Sequence, residues 1–260
     1  MRRDPIAPAS TFLILNETQN SAFDIECHTS EELEKKFTLL DELNEDRSFK
    51  YLDLGGGNGS FADQLLARFP NSFVTIVDVS SALLSKNKLS NRKELIHGSI
   101  ENISEILAGR RFDYITLNWV LHHLAGKNYR LSQENQLNTL IRCRALLKTN
   151  GKLIIAEHMF DGYLESNIPS HIIYTITRMK RGWFVGVAKR FFNTAGVGVC
   201  FQSQRAWQHM FAEAGFDVVA FQRGLWWWWL RRSLCGVATK LVFLKSVSHG
   251  HFFLETKPGG

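Results

Sequence analysis

The chain has 260 residues, with 45% hydrophobic and 22% charged positions, enough to bury a full core and too apolar for wholesale disorder. Its formal charge of +6 and pI near 9.2 come without a long Lys/Arg run or an RNA-reading signature. That balance implies a solvated basic surface and excludes nucleic acid as the expected partner.

Residues 1–28 read as an irregular arm. Thr29 and Glu32 form a capping-box pattern, and Leu33, Phe37 and Leu40 recur at helical spacing, which predicts a helix from Glu31 to Leu43. After the polar break at 44–48, Tyr51 to Leu54 predicts a short strand that enters a glycine-rich turn. Phe61, Leu65 and Phe69 then mark a helix that stops before Pro70. Further strands are expected at Phe73–Val77, around Leu95-Ile96, and at Phe112–Leu117. Ser132 is read as the cap of a helix carrying Leu137, Leu140, Ile141 and Leu147, with Gly151 as its stop, and Lys152–Ala156 as the fifth strand. Residues 159–202 break this rhythm. Ser203 then caps a helix with Trp207, Met210, Phe211 and Ala214 inward, and Phe216–Gln222 and Gly250–Glu255 give two last strands. Alternating strands and crossover helices predict an α/β, mostly parallel sheet with helices on both faces. One domain is expected over 1–260. It comprises an arm and helix (1–47), a ligand-binding core (48–158), an insertion (159–202) and a C-terminal section (203–260).

Cys27, Cys143, Cys200 and Cys235 are scattered, with no CxxC pair, no metal-ligand spacing and no disulfide framework. They suit a reducing cytoplasm. The first ten residues carry Arg2, Arg3, Asp4 and two prolines rather than a secretory core, and no uncharged apolar stretch reaches the roughly 18 residues of a membrane span.

The strongest motif is Asp53-Leu-Gly55-Gly-Gly57-Asn-Gly59, an acid followed by glycines at every second position, between a strand and a helix. Such glycines allow a sharp turn and close approach of backbone to ligand. Asp78 closes the second strand 19 residues after Gly59, where a carboxylate can accept from ribose hydroxyls. A dinucleotide loop has GxGxxG spacing and faces a pyrophosphate. The carboxylate of Asp53 would oppose that anion and suits a cationic ligand.

On these residues, together with Val77-Asp-Val79, His97-Gly-Ser-Ile100, Phe112 to Leu124 and Leu147 to Glu157, the chain resembles the class I S-adenosylmethionine-dependent methyltransferase superfamily. The likeness covers roughly residues 48–160, more weakly 203–256. It implies a Rossmann-like seven-stranded sheet with an antiparallel last strand, S-adenosyl-L-methionine as cofactor and S-adenosyl-L-homocysteine as product. It further implies that Asp53, Gly55, Gly57 and Gly59 hold the methionine part and Asp78 the ribose. Val79, Ser99 and Ile100 would flank the adenine, with Asn118 at the floor near the methyl donor. Ser99 departs from the acidic residue common at its position, which weakens the adenine contact.

Methyl transfer from a sulfonium needs an aligned nucleophile, exclusion of water and, for a hydroxyl, removal of a proton. His122 and His123 follow the fourth strand and Glu157 ends the fifth, an arrangement similar to that of small-molecule O-methyltransferases. His123 is the preferred base, with His122 as its alternative and Glu157 as a catalytic or orienting acid. A histidine packed against the sheet is the competing reading.

The insertion mixes Tyr174, Trp183, Phe184, Phe191 and Phe192 with Arg178, Lys180, Arg181, Lys189 and Arg190. By resemblance it is a lid after strand five, with Tyr174, Arg178 and Trp183 at a small, apolar, aromatic or acidic acceptor. Trp226 to Trp229, with Arg231 and Arg232, fill a long insertion before the last strand. They fit an acceptor tunnel or a homodimer surface better than membrane-surface contact. The expected activity is methyl transfer to oxygen or nitrogen of a small molecule. Carbon methylation, a nicotinamide-dependent oxidoreductase and a non-catalytic binding module are the alternatives.

Overall fold

Helical and extended segments alternate because short β-branched and aromatic runs are separated by glycine, proline and asparagine. The computed structural model describes residues 12, 24, 30–43, 48–163, 167–179, 197–224 and 243–258. In chain order these form α1 (Ser30–Leu43), β1 (Lys50–Leu54), α2 (Ser60–Arg68), β2 (Phe73–Asp78), α3 (Ser81–Leu84), β3 (Lys93–His97) and α4 (Ile103–Ile106). Then come β4 (Phe112–Asn118), a 3-10 turn at Leu121–His123, α5 (Tyr129–Leu146), β5 (Leu147–Gly162), α6 (Ile168–Arg178), α7 (Gln204–Glu213), β6 (Phe216–Gly224) and β7 (Leu244–Thr256).

The described strands make one sheet of seven in the order β3-β2-β1-β4-β5-β7-β6. β1 to β5 pair in parallel, whereas β7 runs antiparallel between β5 and β6. This is the expected Rossmann-like sheet, with the order reversing between β1 and β4. At such a switch the crevice beyond the carboxyl ends of the strands receives ligands. One face of the sheet buries Leu52, Leu54, Ile115, Leu153 and Ile155 against α5 and α7. The other buries Tyr51, Ile76, Tyr114, Ile154 and Phe253 against α1 and α2. A sheet covered on both faces explains why its central strands are almost wholly apolar.

Three local expectations need correction. The cap of α5 is Asn128, whose side chain accepts from the Leu131 N–H at 2.7 Å. Ser132 instead lies buried inside the helix, its hydroxyl joining the Asn128 carbonyl and the Gly126 N–H. Gly151 does not stop α5 but belongs to β5, in a stretch where the register with β4 shifts and Asn150 takes φ 65°. β5 and β7 also extend well beyond their apolar cores, pairing from Lys152↔Glu255 to Gly162↔Leu244. The added residues mix His158, Ser246, Ser248 and His249 with Met159, Phe160, Leu244 and Val247, so their strand character comes from cross-strand pairing together with a small apolar cluster.

The insertion after strand five thus begins as a continuation of β5 and then forms α6, with Asn167 before it and Pro169 in its first turn. Among the described residues, no helix is long and apolar enough to cross a membrane.

Candidate active site

β1, β2 and β4 end side by side, with Asp53 opposite Ile76 and Thr116 in the two registers. Asp53 is fully buried, and neither carboxylate oxygen has a hydrogen-bond partner among the described residues. Burial pushes its carboxyl up to about 7, against the opposing pull of Lys36. A Cβ on Gly56 would come within 2.5 Å of Asp53 Oδ2, so the bare backbone there is what gives the carboxylate its place. The Gly55 N–H donates to the Val77 carbonyl at 2.7 Å, and the Gly57 N–H to Asp78 Oδ2 at 2.9 Å. Gly59, at φ 75°, caps α2.

Asp78 is a clasp as well as a ribose candidate. It accepts from Gly57 and from the Ser80 N–H at 2.8 Å, tying the glycine loop to the end of β2. Burial raises its carboxyl, and these two donors oppose the rise. An ionised carboxylate has about four lone-pair sites, so acceptor capacity remains for a ligand. Val79 is exposed beside it, and its carbonyl meets His97 Nε2 at 2.9 Å. The Ser99 hydroxyl accepts from the Glu101 N–H and so caps a 3-10 turn whose first residue, Ile100, is buried.

Asn118 ends β4, and its Oδ1 accepts from Lys36 Nζ at 2.7 Å. Lys36 lies on the inward face of α1 and is only 1% exposed. Sequence reasoning missed it. The available signal was a lysine falling within the apolar stripe Leu33, Phe37, Leu40.

The next residue, Trp119, holds φ 59°, a rare conformation for a bulky side chain and one that clusters at functional sites. Its ring stacks on His158 with centroids 4.4 Å apart and meets His249 and His251 edge-on at 5.6 and 6.0 Å. The turn that follows carries the histidine pair. His122 Nδ1 lies 2.7 Å from Glu157 Oε2, with both side chains buried. The carboxylate also accepts from the backbone N–H groups of His122 and His158 at 3.3 and 3.2 Å. Burial raises the Glu157 carboxyl to about 7 and lowers the His122 imidazole. Two backbone N–H groups orient the carboxylate toward the ring, and when Glu157 is ionised and His122 neutral, a proton on Nδ1 satisfies the contact and leaves a lone pair on Nε2.

His123, the preferred base from sequence, is half-buried beside His122 with ring centroids 4.0 Å apart. Burial also lowers its imidazole. The side-chain hydrogen bond of the acid is therefore to the first histidine of the two, while the second lies within the field of the same carboxylate.

Residues 199–203 form a strap over this turn. The Cys200 N–H donates to the His122 carbonyl at 2.9 Å, and the Phe201 ring stacks on His122 at 4.9 Å. A buried amide pair fixes the strap. Gln202 Nε2 donates to Gln136 Oε1 at 2.9 Å, and Gln136 Nε2 donates to the carbonyls of Leu121 (3.0 Å) and Cys200 (2.7 Å). Gln202 Oε1 accepts from Asn167, Tyr129 and Gln133. Nothing in the sequence pattern singled out either glutamine.

Tyr174 and Arg178 reach backbone rather than open space. Tyr174 Oη donates to the Gly126 carbonyl at 2.7 Å, and the Arg178 guanidinium donates to the Lys127 carbonyl and to Tyr174 Oη. They lock α6 onto the loop behind the histidine turn. Trp183, the other lid aromatics and Trp226–Trp229 lie outside the described residues.

A Rossmann-like sheet with an acid–glycine loop at its switch point defines a cofactor-binding fold of the methyltransferase kind. The family model of the methyltransferase domain matches residues 26–220, and the chain belongs to that family. It is 24% identical over 123 residues to malonyl-[acyl-carrier protein] O-methyltransferase 2 of Ilyobacter polytropus, covering 45% of this chain and 42% of that one. It is 23% identical over 168 residues to eugenol O-methyltransferase of Sorghum bicolor, covering 64% and 41%. The chain thus spans about two fifths of the length of these curated relatives. In fold it is similar to a SAM-dependent methyltransferase from Geobacter sulfurreducens in complex with S-adenosyl-L-homocysteine, with TM-score 0.57 and 15% identity over 92% of this chain and 96% of that one.

Proposed function

We propose that the protein transfers a methyl group from S-adenosyl-L-methionine to a hydroxyl oxygen of a small, largely apolar acceptor, with His122 as base and Glu157 as its orienter. The 2.7 Å contact between His122 Nδ1 and Glu157 carries this reading. When bound, the cofactor supplies a methyl group already activated on a sulfonium.

The residues at the switch point fit that group. Asp53 offers two buried acceptor oxygens to a positive charge, and Asp78 retains lone pairs for the ribose. Val79, Ser99 and Ile100 are the residues proposed to flank the adenine, and Asn118 closes the floor. The acceptor would lie against Trp119, His158 and Phe201, which suit an apolar or aromatic body. His122 Nε2 would take the hydroxyl proton as the oxygen attacks. The imidazolium so formed would be stabilised by the adjacent Glu157 carboxylate. Excluding water falls to the Phe201 strap and to α6, with Tyr174 and Arg178 as its anchors.

The test has two parts. Calorimetry should give binding of S-adenosyl-L-homocysteine and none of NAD; the reverse would assign the chain to nicotinamide chemistry. Radiolabelled methyl transfer should then be followed with matched phenol, aniline and activated-carbon acceptors. Label in the phenol arm, lost in His122→Ala, is expected. Label only in the carbon or nitrogen arm would refute the oxygen assignment, and cofactor binding with no transfer in any arm would point to a binding module.

A further inference from the structure

Four rings follow one another behind the turn that carries the histidine pair. Phe160 of β5 stacks on Phe201 with centroids 4.4 Å apart and planes 24° from parallel. Phe201 stacks on His122 at 4.9 Å and 28°, and His122 meets His123 at 4.0 Å and 44°. The backbone on either side of Phe201 is tied down. The Cys200 N–H donates to the His122 carbonyl at 2.9 Å, and the Gln202 carbonyl accepts from the Phe160 N–H at 3.0 Å. Both phenylalanines are buried, in a small apolar cluster with Ile173, Val199, Leu244 and Val247.

Any apolar side chain of the right size would serve that cluster. What distinguishes a phenyl ring is the negative face of its π-system, which attracts a cation within about 6 Å of the ring centroid. His122 lies inside that range. A neutral imidazole gains dispersion from the stack, whereas an imidazolium gains the electrostatic attraction as well. The reaction proposed above carries the ring from the first state to the second. The acceptor O–H bond breaks and its proton passes to His122 Nε2, while the oxygen–methyl bond forms and the sulfur–methyl bond breaks. An attraction that grows only as this charge develops lowers the barrier instead of deepening the ground state.

Around His122 the described residues place Glu157 and His158 on β5 and His123 on the same turn. Burial lowers both neighbouring imidazoles, so neither brings a competing positive charge at neutral pH. Glu157 meets the new cation at the edge of the ring, through Nδ1, whereas Phe201 meets it at a face.

We infer that Phe201 is a positioning residue of the base, its ring face stabilising the His122 imidazolium formed during methyl transfer. This rests on the assignment of His122 as base. It adds an electronic role to a strap that otherwise only excludes water.

Fluorine separates the two roles, because it drains the ring face stepwise while leaving size and apolar burial nearly constant. Mono-, di- and trifluorinated phenylalanine should be placed at position 201, and the single-turnover rate of label transfer from S-adenosyl-L-methionine to the phenol acceptor followed. The rate should fall with each added fluorine, by roughly 2- to 30-fold across the series, the range of a partly to fully desolvated cation–π contact. Affinity for S-adenosyl-L-homocysteine and the urea midpoint should stay at their wild-type values. Equal rates across the series, with loss only in Phe201→Leu, would assign Phe201 to packing alone and overturn the inference. Failure of the wild type to label the phenol, or a full rate in His122→Ala, is a different result. It would refute the base assignment itself, and the inference with it.

Discussion

His122 and Glu157 meet across 35 positions of sequence, imidazole Nδ1 to carboxylate Oε2, at the point where β4 and β5 leave the sheet. The carboxylate is fixed from behind by two backbone N–H groups, so it faces the ring in one orientation, and its ionised form favours the proton on Nδ1. Replacing the acid by its amide should therefore be severe without disturbing the fold. In Glu157→Gln an amide N–H can face Nδ1, which moves the ring proton to Nε2 and removes the base. Turnover is expected to fall by about 10² to 10⁴-fold. Affinity for S-adenosyl-L-homocysteine should stay unchanged by calorimetry. His122→Ala should match it, and an equal loss in His123→Ala alone would move the base to the second histidine.

The pH dependence of cofactor binding should follow Asp53. Its folded carboxyl titrates near 7, above the ordinary value of 3.8. A group raised on folding stabilises the protein below its unfolded value, and that contribution is lost as pH rises through 7. A ligand that places an ammonium beside Asp53 reverses the preference, because that group favours the ionised carboxylate and lowers its bound pKa. Affinity for S-adenosyl-L-homocysteine should thus fall below pH 7, by at most about tenfold per pH unit. Up to about one proton should be released on binding near pH 6. Calorimetry in buffers of different ionisation enthalpy reads that release directly. Proton uptake, or affinity independent of pH from 5.5 to 8.5, would contradict a carboxylate at the cationic end of the ligand.

The strands and the acid–glycine loop were legible in the sequence because each is dictated locally. β1, β2 and β4 are apolar runs bounded by breakers, and the loop is a backbone requirement written in consecutive residues. What was not legible depends on distant partners. Lys36 reads as a surface lysine beside Lys35 until α1 packs, and its acceptor is 82 residues away. Gln136 and Gln202 are 66 residues apart, and each looks solvent-facing in its own segment. The choice between His122 and His123 turns on a 3-10 turn of three residues, whose geometry decides which ring meets β5. The far ends of β5 and β7, residues 157–162 and 244–249, lack the alternation of a free-standing strand, and they are extended because each is the other's partner.

The buried amide network should be a measurable part of stability. Gln202 and Gln136 are both fully buried, and a leucine at 202 would take the partner from the Gln136 Oε1 acceptor and from the amide donors of Asn167 and Gln133, while the Tyr129 hydroxyl keeps the Phe201 carbonyl. Gln202→Leu should lower unfolding free energy by roughly 1–3 kcal/mol in urea, the cost of leaving a buried polar group unpaired. Because Phe201 would lose its fixed place on His122, turnover should fall further than stability alone explains. Wild-type stability in the variant would mean the network is reached by water and contributes little.

Gly59 offers a sharper test of the cofactor loop, since two separate physical effects converge on it. Its φ of 75° lies in the left-handed region, where a Cβ costs roughly 1–2 kcal/mol. That Cβ would also fall 1.7 Å from Asn87 Oδ1, a contact no adjustment within the loop can absorb. Asn87 would have to leave, and its Nδ2 donates to the Gly57 carbonyl at 2.9 Å and to the Leu84 carbonyl at 3.1 Å. Gly59→Ala is therefore expected to destabilise by about 2–4 kcal/mol and to abolish cofactor binding together with it. Asn87→Ala alone should lose only its hydrogen bonds, and the double variant should cost less than the sum, because the steric clash is removed. The shortfall measures the clash, and the cost of the double variant beyond that of Asn87→Ala should match the left-handed penalty. Full additivity of the two substitutions in chemical unfolding would show that the glycine is required by its backbone angle alone.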